Sequence, residues 1–260
     1  MKRSPHTADK LAPWIAILVF LLIWEGGVRI TQTPDWLLPP PSQVLMALGT
    51  NASMLFKHTI VTVEEALLGL GLSTLIALMT AYLMDQVLWF RQAFYPLIIF
   101  SQTIPLLILA VLFTIWFGFG MLPKILVVIL VCFFPVVISL MNGLDGVDPD
   151  QIKLFRSMGA TSTAIFTMVK LPAAMPSFFS GLRISATYSL MAAVIAEWMG
   201  AEKGLGYFMT LMQKGYRIDQ VLASVLIICL ISFLLVKCID LLEYLLLPWN
   251  RKEDTQYNWG

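Results

Sequence analysis

Side chains able to do chemistry are sparse in this chain, and most are acids, hydroxyls and amides set inside or beside apolar runs. The adjacent pair Glu64-Glu65 is what a glutamate-type intramembrane protease would use. However, Ala66-Leu67-Leu68-Gly69 follows it, and both histidines, His6 and His58, sit outside the strongest apolar blocks. Thr62 three residues before Glu65 fits a capping box instead, which gives Glu65 a structural task at a helix start. Cys132, Cys229 and Cys238 lie in apolar runs with no metal-ligand spacing and no histidine nearby, which reads as small buried residues. No Gly-x-x-x-x-Gly-Lys-Ser/Thr phosphate loop occurs, so the chain cannot bind ATP in that manner, and no cofactor or metal of its own is expected.

Two polar clusters interrupt apolar runs. Ser101, Gln102 and Thr103 stand immediately before Pro105, which removes a backbone donor and predicts a kink. Ser185, Tyr188 and Ser189 occupy a run that is less apolar than its neighbours. Polar groups at membrane depth face protein or a water-filled path. These six therefore line a translocation path or hydrogen-bond helices together, and the sequence leaves both readings open. Glu197 closes the same run and precedes Gly204-Leu205-Gly206. It is a contact for a partner protein, a gate, or a solvated residue at a helix end.

The longest stretch without a membrane-grade apolar core between the first and last hydrophobic blocks is 148–181. Winding 151–158 as a helix puts Ile152, Leu154, Phe155 and Met158 on one arc and Lys153, Arg156 and Ser157 opposite, with Gln151 intruding on the apolar side. Gly159 can end that helix in a left-handed conformation. Thr161 or Ser162 can cap a second helix reaching Lys170, and Leu171-Pro172 with Met175-Pro176 set its angle to the next apolar run. Amphipathicity alone fits a docking element for another protein and a helix lying on lipid headgroups equally well.

The elements that must hold these residues follow from composition. The chain has 260 residues, 58% hydrophobic and 13% charged, and a soluble domain cannot bury that much apolar surface. Ten-residue segments of alternating polarity are absent, which excludes a membrane barrel. A net charge of +1 implies no nucleic-acid partner. The predicted fold is all-α and polytopic, a single membrane domain over 1–260 with six spans near 13–30, 63–84, 94–117, 122–140, 176–198 and 221–242. The segment 43–56 is predicted as a short amphipathic helix capped by Ser42, and 197–219 as a polar loop. Six spans place both termini and the 148–171 hairpin on one side. That side carries the larger share of Lys and Arg, Lys153, Arg156 and Lys170 among them, so it is predicted to be cytoplasmic. With charges near the span ends, Arg183 apart, and no internal repeat, an ion-driven carrier or channel is the weaker alternative.

Gly159, nine residues, then Val169-Lys170-Leu171-Pro172 resembles the cytoplasmic coupling loop of ABC importer permeases, whose pattern is Glu-Ala-Ala, three residues, Gly, nine residues, Ile-x-Leu-Pro. The Glu-Ala-Ala positions are here Lys153, Leu154 and Phe155. Leu37-Leu38-Pro39-Pro40-Pro41-Ser42, Pro105 with Trp116-Phe117-Gly118-Phe119-Gly120, Gly181-Leu182-Arg183-Ile184 and Ala196-Glu197 with Gly204-Leu205-Gly206 are similar to the branch handling nitrate, sulfonates, taurine and thiamine-precursor pyrimidines. The resemblance implies the type I importer permease fold in the cell membrane, a homodimer, two ATPase subunits carrying ATP and Mg, and an extracytoplasmic binding protein. It implies ATPase coupling through Lys153, Leu154, Phe155, Arg156, Met158, Gly159, Leu171 and Pro172. The run Glu197-Trp198-Met199-Gly200-Ala201 resembles more closely the permeases for thiamine-precursor pyrimidines.

Overall fold

A computed structural model describes residues 7–250. They form helices joined by short turns, with no strand among the described residues. Helix α1 (Thr7–Thr31) stands at one edge with most of its apolar side chains exposed. It is tied to α2 (Pro41–Thr50) by Glu25, whose carboxylate accepts the Ser42 amide at 3.0 Å and the Ser42 hydroxyl at 2.9 Å. Glu25 also pairs with Arg29, one turn on in α1, at 2.6 Å. Pro40, not Ser42, is the N-cap of α2, because Pro41 fits the first helical position and leaves Ser42 inside the first turn.

The predicted 43–56 helix ends at Thr50, and after Asn51 helix α3 runs from Ala52 to Gln86. No proline interrupts those 35 residues, so the helix passes straight through the expected start of the second span. Its length of roughly 50 Å exceeds the hydrocarbon core of a bilayer, about 30 Å. Thr62 and Glu65 consequently lie inside a helix, and the capping box does not form.

Pro105 breaks the third span instead of kinking it. Helices α4 (Leu88–Ser101) and α5 (Leu106–Phe117) meet at 102°. The hydroxyls beside the break bond backwards, Ser101 Oγ to the Ile98 carbonyl at 2.9 Å and Thr103 Oγ1 to the Phe100 carbonyl at 2.7 Å. The Phe100 carbonyl also accepts the Thr103 amide at 3.0 Å, so the turn at the break is bonded locally. Among the described residues five helices are long and apolar enough to cross a membrane, and the bent pair makes a sixth if it counts as one span.

Helix α6 (Met121–Asp145) leads to α7 (Pro149–Ser157) and the short α8 (Ser162–Ile165). A π-helical turn, Phe166–Lys170, carries the chain without interruption into α9 (Leu171–Trp198). Helices α6 and α9 form the central pair, with α3 against α6, and their contact is built on small residues. A Cβ at Gly181 would stand 2.5 Å from the Pro135 carbonyl oxygen, and one at Gly143 would stand 2.9 Å from the Ala174 Cα. Without a hydrophobic drive between helices in lipid, such close packing is what holds them. The expected loop 197–219 contains α10 (Leu205–Lys214), which buries Leu205 and Phe208 against Leu55 of α3. Leu205, Phe208 and Met212 follow helical spacing, a signal outweighed in the sequence by the flanking glycines. Helix α11 (Ile218–Leu246) closes the bundle. Of the cysteines only Cys132 is buried; Cys229 and Cys238 lie exposed on α11, which packs by one side only.

Candidate functional site

Three groups of residues stand along the α6–α9 axis, at its two ends and near its middle. At one end is the hairpin. Asp148 caps α7 by accepting the Asp150 amide at 2.9 Å, and no residue of α7 is buried. Leu154 and Met158 are exposed, at 58% and 74%. Phe155 is half-buried, and Lys153 and Arg156 face solvent, Lys153 paired with Asp150 at 2.8 Å. Gly159 ends the helix with a φ of +84°, a conformation side chains disfavour. Thr161 caps α8, accepting the Ala164 amide at 3.3 Å. Leu171 and Pro172 begin α9, half-buried. Pro172 fits that first turn without a break, so the second hairpin helix and α9 form one rod. Lys170 pairs with Asp85 at the end of α3 at 2.6 Å, and Arg91 of α4 holds Asp145 of α6 through two bonds of 2.9 and 2.5 Å. These pairs tie the hairpin's second arm to α3, and α4 to the end of α6 from which the hairpin leaves.

Near the middle, the broken span leaves an open cavity of ≈ 380 Å³. Ser101, Gln102, Thr103, Pro105, Tyr188 and Met191 line it with apolar residues of α5 and α6, and no charged side chain faces it. Four of the six expected path residues are therefore brought together. Ser185 and Ser189 are not. Both are fully buried, Ser185 donating to the Cys132 carbonyl at 2.8 Å and Ser189 to the Ala186 carbonyl at 2.8 Å.

The opposite end holds a buried charged cluster. Glu65 of α3 and Glu197 of α9 are each 1% exposed, and Lys124 of α6 is 7% exposed. Lys124 Nζ pairs with Glu65 Oε1. Glu197 accepts the Thr62 hydroxyl at 2.7 Å and the Gly206 amide at 2.5 Å, while Thr62 Oγ1 accepts the Leu205 amide at 2.8 Å. His58 Nδ1 accepts the Gly204 amide at 3.1 Å. Of the roles expected for Glu197, the solvated helix end is not what the structure has: the side chain faces inward and fixes the start of α10. A Cβ on Gly204 would collide with the Glu197 carboxyl, and one on Gly206 would stand 2.9 Å from Glu197 Cβ. Thr62, Glu65 and Lys124 were not expected here. The legible signal was charge within helical sequence; the unrecognised start of α3 hid it. Arg183, the expected exception among span charges, is neutralised by Asp240 at 2.7 Å and by Glu243.

The family model for the binding-protein-dependent transport system inner membrane component matches residues 73–252. The chain belongs to this family. It is 35% identical over 97% of its length to the whole formylaminopyrimidine transport permease protein ThiX of Halalkalibacterium halodurans. It is 30% identical to the taurine transport system permease protein TauC of Escherichia coli, over 90% of this chain and 88% of that one. Among solved structures, an amino acid ABC transporter superposes with a TM-score of 0.61 at 19% identity, over 78% of this chain and 97% of that one. The MetNI methionine ABC transporter gives 0.55 at 17% identity, over 73% and 94%. The permease thus has the type I importer fold, and it is a multi-pass membrane subunit of an ABC importer.

Proposed function

We propose that the permease carries a thiamine-precursor pyrimidine inward through a path built from the cavity at the broken span. Two copies form the path, two ATPase subunits dock on the hairpins, and an extracytoplasmic binding protein delivers the solute. The termini and the hairpin lie in the cytoplasm, in accord with the Lys/Arg bias. The observation that carries this reading is the match to a formylaminopyrimidine permease over the whole of that relative. The cavity supports it, because Gln102 and Tyr188 offer amide and phenol groups to a neutral heterocycle. A sulfonate would meet no cation there, which weighs against the taurine-like alternative.

The proposed mechanism is mechanical. Leu154, Phe155 and Met158 offer the ATPase an apolar face framed by Lys153 and Arg156, and Gly159 fixes the angle to α8. Displacement of the hairpin passes through the π-helical turn into α9, a rod of roughly 40 Å. Tyr188 lies on that rod at the cavity and Glu197 lies near its far end. A rigid-body shift of α9 against α6 therefore reaches the cavity and the outer cluster at once.

The test is uptake into proteoliposomes holding the permease, its ATPase and its binding protein. Vanadate-sensitive, ATP-dependent accumulation of labelled formylaminopyrimidine, with none of taurine, is expected. Uptake by the permease alone, or preference for taurine, would overturn the reading.

A further inference from the structure

The cluster at the far end from the hairpin has an unbalanced charge. Glu65 and Glu197 contribute two carboxylates, Lys124 one ammonium, and all three are nearly sealed from solvent. The two carboxyl groups meet on one face of α3, because Thr62, which donates to Glu197, stands one turn before Glu65. Glu197 uses its oxygens on Thr62 and Gly206, and Glu65 Oε1 takes Lys124, whereas Glu65 Oε2 is buried without a donor. Adjacent carboxylates in a low-dielectric site do not both stay ionised, and a buried oxygen without a partner is costly.

No neighbouring group supplies the missing charge. His58 accepts the Gly204 amide through Nδ1, so that nitrogen carries no proton and the ring is neutral. Helices α5 and α10 bring no acid or base to the cluster; the α10 rings Phe208 and Tyr207 stand 5.3 and 6.0 Å from His58. At the start of α11, Asp219 is paired with Arg217. Glu64, Glu202 and Lys203 line a cavity beside Glu65 and Lys124, all three open to solvent, and together they add negative charge.

We propose that Glu65 and Glu197 bind one proton between them, carried on Glu65 Oε2 and shared with the Glu197 carboxyl, and that this proton holds α10 closed on α3 and α9. With it the cluster is neutral and every carboxyl oxygen has a partner. When the end opens, water reaches both groups, the proton leaves to the same compartment, and two carboxylates repel; closing takes it back, so no net proton crosses. Only the naming of this end as the outer one rests on the transport reading.

Infrared spectroscopy of the permease in lipid nanodiscs at neutral pH tests the idea. A protonated-carboxyl C=O stretch is expected in the wild type, lost in Glu65→Gln and lost equally in Glu197→Gln, since either leaves one carboxylate matched by Lys124. Lys124→Met is expected to retain or increase the band. Retention of the band in either glutamine variant, or its loss in Lys124→Met, overturns the proposal. Should a variant fail to fold, wild-type protein carrying 13C-glutamate decides alone, because solvent-exposed glutamates are ionised at that pH. A 13C-shifted carboxylic band supports a proton in the site, while its absence, as with a bound metal cation, overturns it.

Discussion

The Ser185 hydroxyl donates to the Cys132 carbonyl oxygen at 2.8 Å, and the Cys132 thiol donates to the Ser185 carbonyl oxygen at 3.3 Å, so α9 and α6 clasp each other reciprocally. Both residues are fully buried and neither lines the cavity. Ser185→Ala should therefore leave the half-saturating solute concentration for uptake unchanged and lower stability by about 0.6 kcal/mol, the typical worth of an intramembrane hydrogen bond. Thermal unfolding in detergent beside uptake kinetics checks both halves. A shifted half-saturation with unchanged stability would return Ser185 to the path.

That pair marks where sequence reasoning stops. Hydrophobic run lengths located the long apolar helices, because bilayer thickness imposes such lengths, and Gly159 with Leu171-Pro172 located the hairpin. Which hydroxyl faces a cavity and which faces a helix depends on rotation about the helix axis, and that is set by contacts such as Gly181 against Pro135. The start of α3 was hidden for a different reason. Residues 52–62 are only moderately apolar, so 52–56 read as the end of a separate amphipathic helix and 57–62 as a connection, although nothing in them stops a helix. With that boundary misplaced, Glu65 looked like a cap and its meeting with Lys124 and Glu197 could not be seen.

Gln102 and Tyr188 are the cavity's polar side chains with the longest reach. Loss of one hydrogen bond to a solute is worth about 1 kcal/mol, so Gln102→Ala or Tyr188→Phe should raise the half-saturating concentration about five-fold. Stability should hold in both, since neither group is needed to satisfy a buried partner. Unchanged uptake in both variants would remove this cavity from the path.

Lys170 and Asp85 join the hairpin to α3, with Asp85 only 7% exposed at its side chain. Lys170→Met strands a buried carboxylate, which costs roughly 3–5 kcal/mol when the partner is removed, and should uncouple ATP hydrolysis from uptake. The exchanged pair, Lys170→Asp with Asp85→Lys, should recover much of the coupling. The milder Gly159→Ala forces a side chain into a left-handed conformation at a cost of about 1–2 kcal/mol, and should weaken ATPase co-purification without touching the bundle. Full ATPase binding and coupling in both Lys170→Met and Gly159→Ala would show that the hairpin is not the lever.

Gly206 offers the sharpest contrast between a glycine that is needed and one that is not. A Cβ there would press on the Val194 carbonyl oxygen and stand 2.9 Å from Glu197 Cβ, and the backbone oxygen cannot step aside. Gly206→Ala should lift α10 from α9, break the Gly206 amide bond to Glu197 and cost roughly 1–3 kcal/mol, as overpacking does. Gly49, in α2, has nothing within 4 Å of its missing Cβ. Gly49→Ala should instead stabilise, by up to about 1 kcal/mol, because alanine gives up less backbone entropy in a helix. Thermal unfolding of the two variants side by side gives opposite signs if α10 is held by close approach to α9. Equal shifts would mean that the start of α10 yields freely, and the closed end would then have to be maintained by the charged cluster alone.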